Sequence, residues 1–162
     1  MKRLSLCIVV LSFFVSGCEK QQNQKLLGPY FRYDVNGVKA SFAPADVLNN
    51  NHFECTISGD TALNIVVSKL FEGAGVMIKG NPIKDGTYVL DGKNRAYHIN
   101  PKDLKRYYTT DGFKGTLTIK RNVFQAKTLL NTLEGKFSYN VVDTASNKSF
   151  QITNGEFLME VR

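Results

Sequence analysis

The sequence has no tryptophan, and among its 162 residues it has only two histidines and four prolines. The histidines, His52 and His98, stand in neither an H-x-H nor an H-x-x-x-H arrangement, so they predict no zinc site. We expect each of them on the solvent side of a strand or loop. No metal or other cofactor is expected.

The motifs of common enzyme classes are missing as well. The sequence contains no G-x-S-x-G nucleophile elbow, no S-x-x-K pair and no Walker A phosphate loop. Most of its acidic residues fall in predicted turns or at solvent-facing positions of predicted strands, where no two of them share an obvious pocket. We therefore expect a protein that is not an enzyme.

Cysteine is scarce, and each of the three cysteines has a separate expected role. Cys7 lies in the segment that we expect to be removed, and Cys18 lies at a predicted acylation site. Only Cys55 then stays free, which excludes an internal disulfide. Cys55 alternates with Phe53 and Ile57 on the apolar face of a predicted strand, so we expect it to be buried.

The N-terminal segment predicts export and lipid attachment. Lys2 and Arg3 precede an apolar run over residues 4–15, which is too short to span a bilayer but has the length of a signal peptide core. The run ends in Val15-Ser16-Gly17-Cys18, where two small residues precede a cysteine, as in the cleavage and acylation site of bacterial lipoproteins. An ordinary secretory signal would leave no reason for Cys18. We predict lipidation at Cys18.

These features divide the chain into a signal peptide at 1–17, a lipidated cysteine with a flexible tether at 18–28 and a single all-β domain at 29–162. The tether is predicted because residues 19–25 are polar and show no apolar periodicity. Two or three acyl chains would anchor the protein stably to a membrane. Glutamate at position 19, where aspartate would signal retention at the inner membrane, favours the outer membrane, and the leaflet is left open.

The formal net charge of the chain is +7. Its basic residues are dispersed among predicted strands instead of clustering on one helix, which excludes a typical nucleic-acid-binding surface. Mild basicity suits an anionic surface.

Alternation of apolar and polar residues dominates the rest of the chain and predicts antiparallel strands. Residues 30–35 and 38–42 flank Asn36-Gly37, which fits a type I′ hairpin turn because both of its positions require positive φ. Further strands are predicted around 53–57, 63–67, 76–78 and 86–90.

Three glycines, Gly115, Gly135 and Gly155, recur every twenty residues. We expect each to open a strand of an up-and-down arrangement, because the repeats of a solenoid would extend over the whole chain. The pattern predicts an all-β fold, an antiparallel meander of about eight to ten strands that forms a sandwich or barrel with little helix.

Four sequence blocks carry a resemblance to a known group of proteins. In order they are Gly86-Thr87-Tyr88, Gly115-Thr116-Leu117-Thr118-Ile119, Gly135-Lys136-Phe137-Ser138-Tyr139 and Thr153-Asn154-Gly155-Glu156-Phe157. The chain resembles small envelope lipoproteins of unknown function from Bacteroidetes, although Lys136 replaces a threonine and Tyr139 a phenylalanine of their pattern. The resemblance implies a compact β-fold and an envelope location, and it assigns no activity and no binding residues.

One segment, 93–113, combines aromatic and basic residues in a stretch that we expect to be rich in loops. Tyrosine faces stack on sugar rings, and long connections between strands often carry binding residues. The candidate binding residues are Arg95, Tyr97, Tyr107, Tyr108 and Phe113. The alternative is that Tyr97, Ile99 and Tyr108 pack as ordinary strand residues. Because adjacent strand residues face opposite ways, one of Tyr107 and Tyr108 is expected to be buried.

The functional hypothesis is a non-enzymatic envelope lipoprotein that binds a glycan, a small apolar ligand or a protein partner. The alternative is a structural or assembly subunit of an envelope complex, which docks on a neighbouring protein. A large internal pocket lined by aromatic residues would favour the first hypothesis. A filled core with an exposed apolar patch would favour the second.

Overall fold

The computed structural model describes residues 28–44, 52–80, 82–122 and 131–162, and within them it contains eleven β-strands and no α-helix. The predicted signal peptide at 1–17, the lipidation site Cys18 and the tether at 18–28, apart from Gly28, lie outside the described residues. In the part of the chain that is described, no helix is long and apolar enough to cross a membrane.

The eleven strands follow one another along the chain. They are β1 (Tyr30–Val35), β2 (Val38–Phe42), β3 (His52–Ser58), β4 (Ala62–Lys69), β5 (Glu72–Lys79), β6 (Gly86–Leu90), β7 (Arg95–Ile99), β8 (Arg106–Tyr108), β9 (Gly115–Asn122), β10 (Thr132–Asp143) and β11 (Lys148–Glu160). The strand count is higher than expected because the segment 93–113, predicted to be rich in loops, contains the β7–β8 hairpin.

All eleven strands belong to one antiparallel sheet. Nine of them follow the order β2-β1-β11-β10-β8-β7-β5-β4-β3, and β9 and β6 join the sheet through β10. The long strand β10 pairs with β9 along its first half and with β8 near its end, and β9 in turn pairs with β6. The sheet nearly closes on itself, since Cys55 of β3 forms a bridge with Val161 and its carbonyl accepts a hydrogen bond from the Arg162 amide at 2.9 Å. The predicted all-β fold is confirmed as a nearly closed barrel.

Four pairings of the described strands join strands that are not consecutive in the chain, and two of them are β1 with β11 and β5 with β7. The first strand, β1, pairs with the last, β11, so that Tyr30 lies opposite Leu158. Strand β5 pairs with β7 and not with β6. Strand β6 pairs with β9 instead. Both pairings join segments far apart in the chain, and they bring the barrel close to closure.

The first hairpin forms as predicted. Strands β1 and β2 pair from Val35 opposite Val38 to Phe31 opposite Phe42. Asn36 and Gly37 have φ values of 48° and 83°, which is the backbone that a type I′ turn requires at its two central residues.

The three glycines of the twenty-residue spacing lie opposite aromatic residues of neighbouring strands. Gly115 opens β9 as predicted, but the expectation is wrong for Gly135 and Gly155, which lie inside β10 and β11. The pairs are Gly115 with Tyr139, Gly135 with Phe157 and Gly155 with Phe137. In each pair a Cβ on the glycine would overlap the aromatic residue. The glycines therefore make room for rings in the interior and permit the sheet to curve.

Aromatic rings fill the centre of the barrel. Phe137 and Phe157 point inward as predicted, and the Phe31 ring stacks on Phe137 at 4.8 Å between centroids. Tyr139 is buried beside Phe137 and donates a hydrogen bond to the Tyr97 carbonyl at 3.0 Å. Cys55 is also buried as predicted, and desolvation raises the pKa of its thiol to about 12. This thiol is an inert part of the core.

Candidate binding surface on strands β7 and β8

Strands β7 and β8 place consecutive residues on opposite faces of the barrel wall. Tyr97 lies directly opposite Tyr108, and His98 lies directly opposite Tyr107. Because side chains alternate along a strand, the first pair faces outward and the second pair faces the interior. The two pairs therefore have different surroundings, although they are adjacent in the sequence.

The outward pair forms an aromatic patch with a cation, which we define as Tyr97, Arg106 and Tyr108. The two rings lie 6.0 Å apart between centroids at an angle of 52°, and Arg106 Cζ lies 5.3 Å from the centroid of the Tyr97 ring. Tyr97 is only 5% exposed, whereas Tyr108 is half-buried and Arg106 is exposed. The patch thus presents the Tyr108 ring and the guanidinium to solvent on a buried aromatic support.

Gly75 of β5 supports the patch from the other side. It pairs with Tyr97, and a Cβ at this position would overlap the Tyr97 ring. Burial raises the pKa of the Tyr97 hydroxyl, and the nearby Arg106 opposes this shift. Tyr97 therefore stays neutral, and its ring is held between the backbone of Gly75 and the guanidinium.

Arg95 lies two residues before Tyr97 and shares its outward face. It is exposed, and its Nε donates a hydrogen bond to the Gly92 carbonyl at 2.9 Å. The turn that holds Gly92 is ordered by Asp91, whose carboxylate accepts hydrogen bonds from the amides of Lys93 and Asn94 at 2.7 and 2.9 Å. These bonds lower the pKa of Asp91 and keep the start of β7 in position.

Tyr107 does not belong to the outer surface. It is fully buried, and its ring lies edge-on against Phe150 at 4.7 Å between centroids. Its hydroxyl donates a 2.7 Å hydrogen bond to Asp103, which also accepts one from Lys148 at 2.6 Å. These two donors, Lys148 first, hold the pKa of Asp103 well below its usual value. The reason for the burial is the alternation that exposes its neighbour Tyr108.

Phe113 lies in the connection between β8 and β9 and does not join the two outward rings. It is half-buried, and its amide and carbonyl exchange hydrogen bonds with Thr110 at 3.1 and 2.9 Å. Of the five candidate residues, the strands bring three to one face, namely Arg95, Tyr97 and Tyr108. Arg106, which was not among the five, completes the patch because it lies two residues before Tyr108 on the same face.

The expectation that His98 lies on the solvent side of a strand or loop is wrong. It is 1% exposed and not on the solvent side, and its ring lies 6.1 Å from that of Tyr33 and 5.3 Å from that of Phe150. Desolvation lowers the pKa of His98 to about 4, although a hydrogen bond to the Gly73 backbone opposes part of this shift. The imidazole is therefore neutral at pH 7. His52 is exposed, as predicted.

Among the described residues, no three side chains of histidine, cysteine, aspartate or glutamate are grouped so that they could hold a metal ion. The arrangement on the outer face instead offers the half-buried Tyr108 ring, the buried Tyr97 ring beside it and two exposed guanidinium groups. Such a surface binds planar or ring-shaped groups by stacking and orients them by hydrogen bonds.

Comparison of the chain with models of protein families, with curated proteins and with solved structures finds no match. The resemblance to envelope lipoproteins of Bacteroidetes therefore stays a prediction from the sequence blocks.

Proposed function

We propose that this chain is a lipid-anchored, non-enzymatic protein of the bacterial envelope that binds a saccharide at its aromatic patch. The observation that carries the proposal is the accessible Tyr108 ring beside Tyr97 and Arg106. The apolar face of a sugar ring stacks on tyrosine, while guanidinium N–H groups at the edge donate hydrogen bonds to its oxygens. Since aromatic side chains occupy the centre of the barrel, the outer face is the favoured place for a ligand.

The binding test replaces Tyr108 with alanine. Loss of the stacking ring is expected to weaken saccharide binding about tenfold or more, measured on an immobilised glycan array and then by titration in solution. The matched control is Tyr30→Ala, because Tyr30 is another outward tyrosine with a guanidinium, that of Arg32, at 4.9 Å. Equal losses in both variants, or none in Tyr108→Ala, would contradict the proposed location.

The anchorage test replaces Cys18 with serine, which cannot take up diacylglycerol through a thioether. The wild-type protein is expected in the membrane fraction and the variant in the soluble fraction, because lipid chains on Cys18 supply the attachment. Cys55→Ser is the control and is expected to stay with the membrane. A Cys18→Ser variant that still pellets with membranes after a salt wash would refute the lipoprotein assignment.

A second candidate function, docking on a protein partner, is favoured by two observations. Aromatic rings fill the core, which is the arrangement that favours an assembly subunit over a protein with an internal pocket. The turn between β4 and β5 exposes two adjacent large apolar residues, Leu70 at 72% and Phe71 at 62%. Exposed apolar pairs of this kind occur where proteins associate. Crosslinking that is lost in a Leu70→Ser/Phe71→Ser variant, together with unchanged glycan binding, would support docking as a separate activity.

A further inference from the structure

A polar groove with a volume of about 170 Å³ lies on the outer face of the barrel, where β9, β10 and β11 run side by side. Its floor includes the backbone of Gly115, whose Cβ position faces inward toward the buried Tyr139. The side chains that line it are those of Lys114, Thr116, Ser138, Asn140, Gln151 and Thr153. All of them except Lys114 are uncharged.

The groove adjoins the aromatic patch. Tyr108 lies directly opposite Val142 of β10, and Asn140 precedes Val142 by two residues on the same outward face. Two residues of extended strand span about 7 Å and neighbouring strands lie about 4.8 Å apart, so Asn140 lies about 8 Å from Tyr108 and would meet the second ring of a ligand that stacks on Tyr108. Asn140 is in turn paired with Gln151, which continues the groove onto β11.

The lining side chains have spare capacity for hydrogen bonding. Within the described part of the chain, the side chains of Thr116, Ser138 and Asn140 have no hydrogen-bond partner. The amide side chains of Asn140 and Gln151 each provide both donors and an acceptor, and the hydroxyl groups provide either. An alternating set of donors and acceptors on a rigid sheet matches the hydroxyl groups of a sugar, which also both donate and accept.

We infer that the polar groove is a second subsite, continuous with the aromatic patch, and that the ligand is an oligosaccharide whose next ring is bound there through its hydroxyl groups. This inference rests on the proposed saccharide binding at Tyr108. The patch supplies stacking for one ring, and the groove supplies directional hydrogen bonds for its neighbour. The protein then distinguishes a chain of sugars from a single sugar and from an apolar ligand.

The test uses the full chain on an immobilised array of neutral and carboxylated monosaccharides and oligosaccharides, followed by titration with the best oligosaccharide and its constituent monosaccharide. Asn140→Ala/Gln151→Ala is expected to bind the oligosaccharide about tenfold more weakly, because two sets of hydrogen bonds are lost, and to bind the monosaccharide as the wild type does. The single variants are expected to lose about threefold each.

Lys136→Ala, at an exposed position of β10 outside the groove, is the control and is expected to leave both affinities unchanged. Melting curves of all variants separate a loss of binding from a loss of folding. If the wild type binds oligosaccharides and the double variant binds them equally well, the groove is not a subsite, although the proposed function stands. If the wild type retains no glycan on the array, both proposals are overturned.

Discussion

The two faces of the β7–β8 hairpin carry similar residues with opposite consequences. On the outer face, Tyr97 and Tyr108 form a pair that solvent reaches at Tyr108. On the inner face, His98 and Tyr107 form a pair that is fully enclosed. Residue type alone therefore does not identify a binding residue here, because the register of the strand decides whether a ring contributes to recognition or to stability.

The inner pair also shows how a barrel accommodates polar groups. The hydroxyl of Tyr107 is satisfied by Asp103, and Lys148 joins the same carboxylate from the start of β11. His98 stays neutral, and its Nδ1 has no hydrogen-bond partner among the described residues. Buried polar groups of this kind make the stability of the protein sensitive to mutation and to pH. Substitutions in the outer pair should mainly change ligand binding.

The largest expected effect comes from removing the inner ring. Tyr107→Ala should lower the free energy of unfolding by about 3 to 5 kcal/mol, since it leaves a cavity against Phe150 and removes a donor from Asp103. Tyr108→Ala should cost only about 1 kcal/mol, because its ring is half-buried. Urea unfolding of both variants measures the difference. Similar costs for the two variants would show that the assigned faces are wrong.

The next effect is a pH dependence that comes from His98 on the inner face. In the folded state burial lowers the pKa of His98 from 6.5 to about 4. The unfolded chain therefore binds a proton at His98 below pH 6.5 that the folded chain does not, so the contribution of His98 to stability is complete above pH 6.5 and is lost as the pH drops to about 4. The loss over this window amounts to about 3 kcal/mol.

Unfolding curves of His98→Gln between pH 7 and 4 test this effect, and the variant should show a flatter profile than the wild type. His52→Gln, at an exposed histidine, is the control and should keep the wild-type profile. The negative charge of Asp103 raises the pKa of His98 and so opposes the desolvation. Because its own pKa is held below 3.8, Asp103 keeps this charge in the folded protein between pH 7 and 4. An unchanged slope in His98→Gln would mean that His98 is not buried in neutral form.

Much of the fold was predictable because its signals are local. The type I′ turn at Asn36-Gly37 needs only two residues, and the inward positions of Phe137 and Phe157 follow from period-two alternation. The pairing of β1 with β11 was not predictable, because no local pattern states which distant strand lies beside another. The same limit applies to Gly135 and Gly155, whose role depends on rings of neighbouring strands.

The candidate site was predictable in composition but not in geometry. The concentration of tyrosines and arginines in 93–113 is visible in the sequence, and so is the rule that Tyr107 and Tyr108 face opposite ways. Which of them faces outward depends on the pairing of β8 with β7 and β10, and the selection of Arg106 follows from the same register. The polar groove was not predictable, because its side chains come from three strands whose pairing no local sequence pattern specifies.

The smallest effect on stability tests the support beneath the patch. Gly75→Ala places a Cβ where the Tyr97 ring lies, and overpacking of this kind costs about 1 to 3 kcal/mol. Gly112→Ala is the matched control, because a Cβ there has no heavy atom within 4 Å, and it should change stability by about 0.5 kcal/mol or less. In a Tyr97→Ala background the cost of Gly75→Ala should largely disappear, since the ring that it displaces is gone.

Thermal unfolding of the four variants measures this coupling. Glycan titration of Gly75→Ala should show weaker binding, because Tyr97 shifts beside Tyr108. A Gly75→Ala protein as stable as Gly112→Ala would show that the outer ring does not rest on β5, and the contrast between a supported outer face and an enclosed inner face would then be lost.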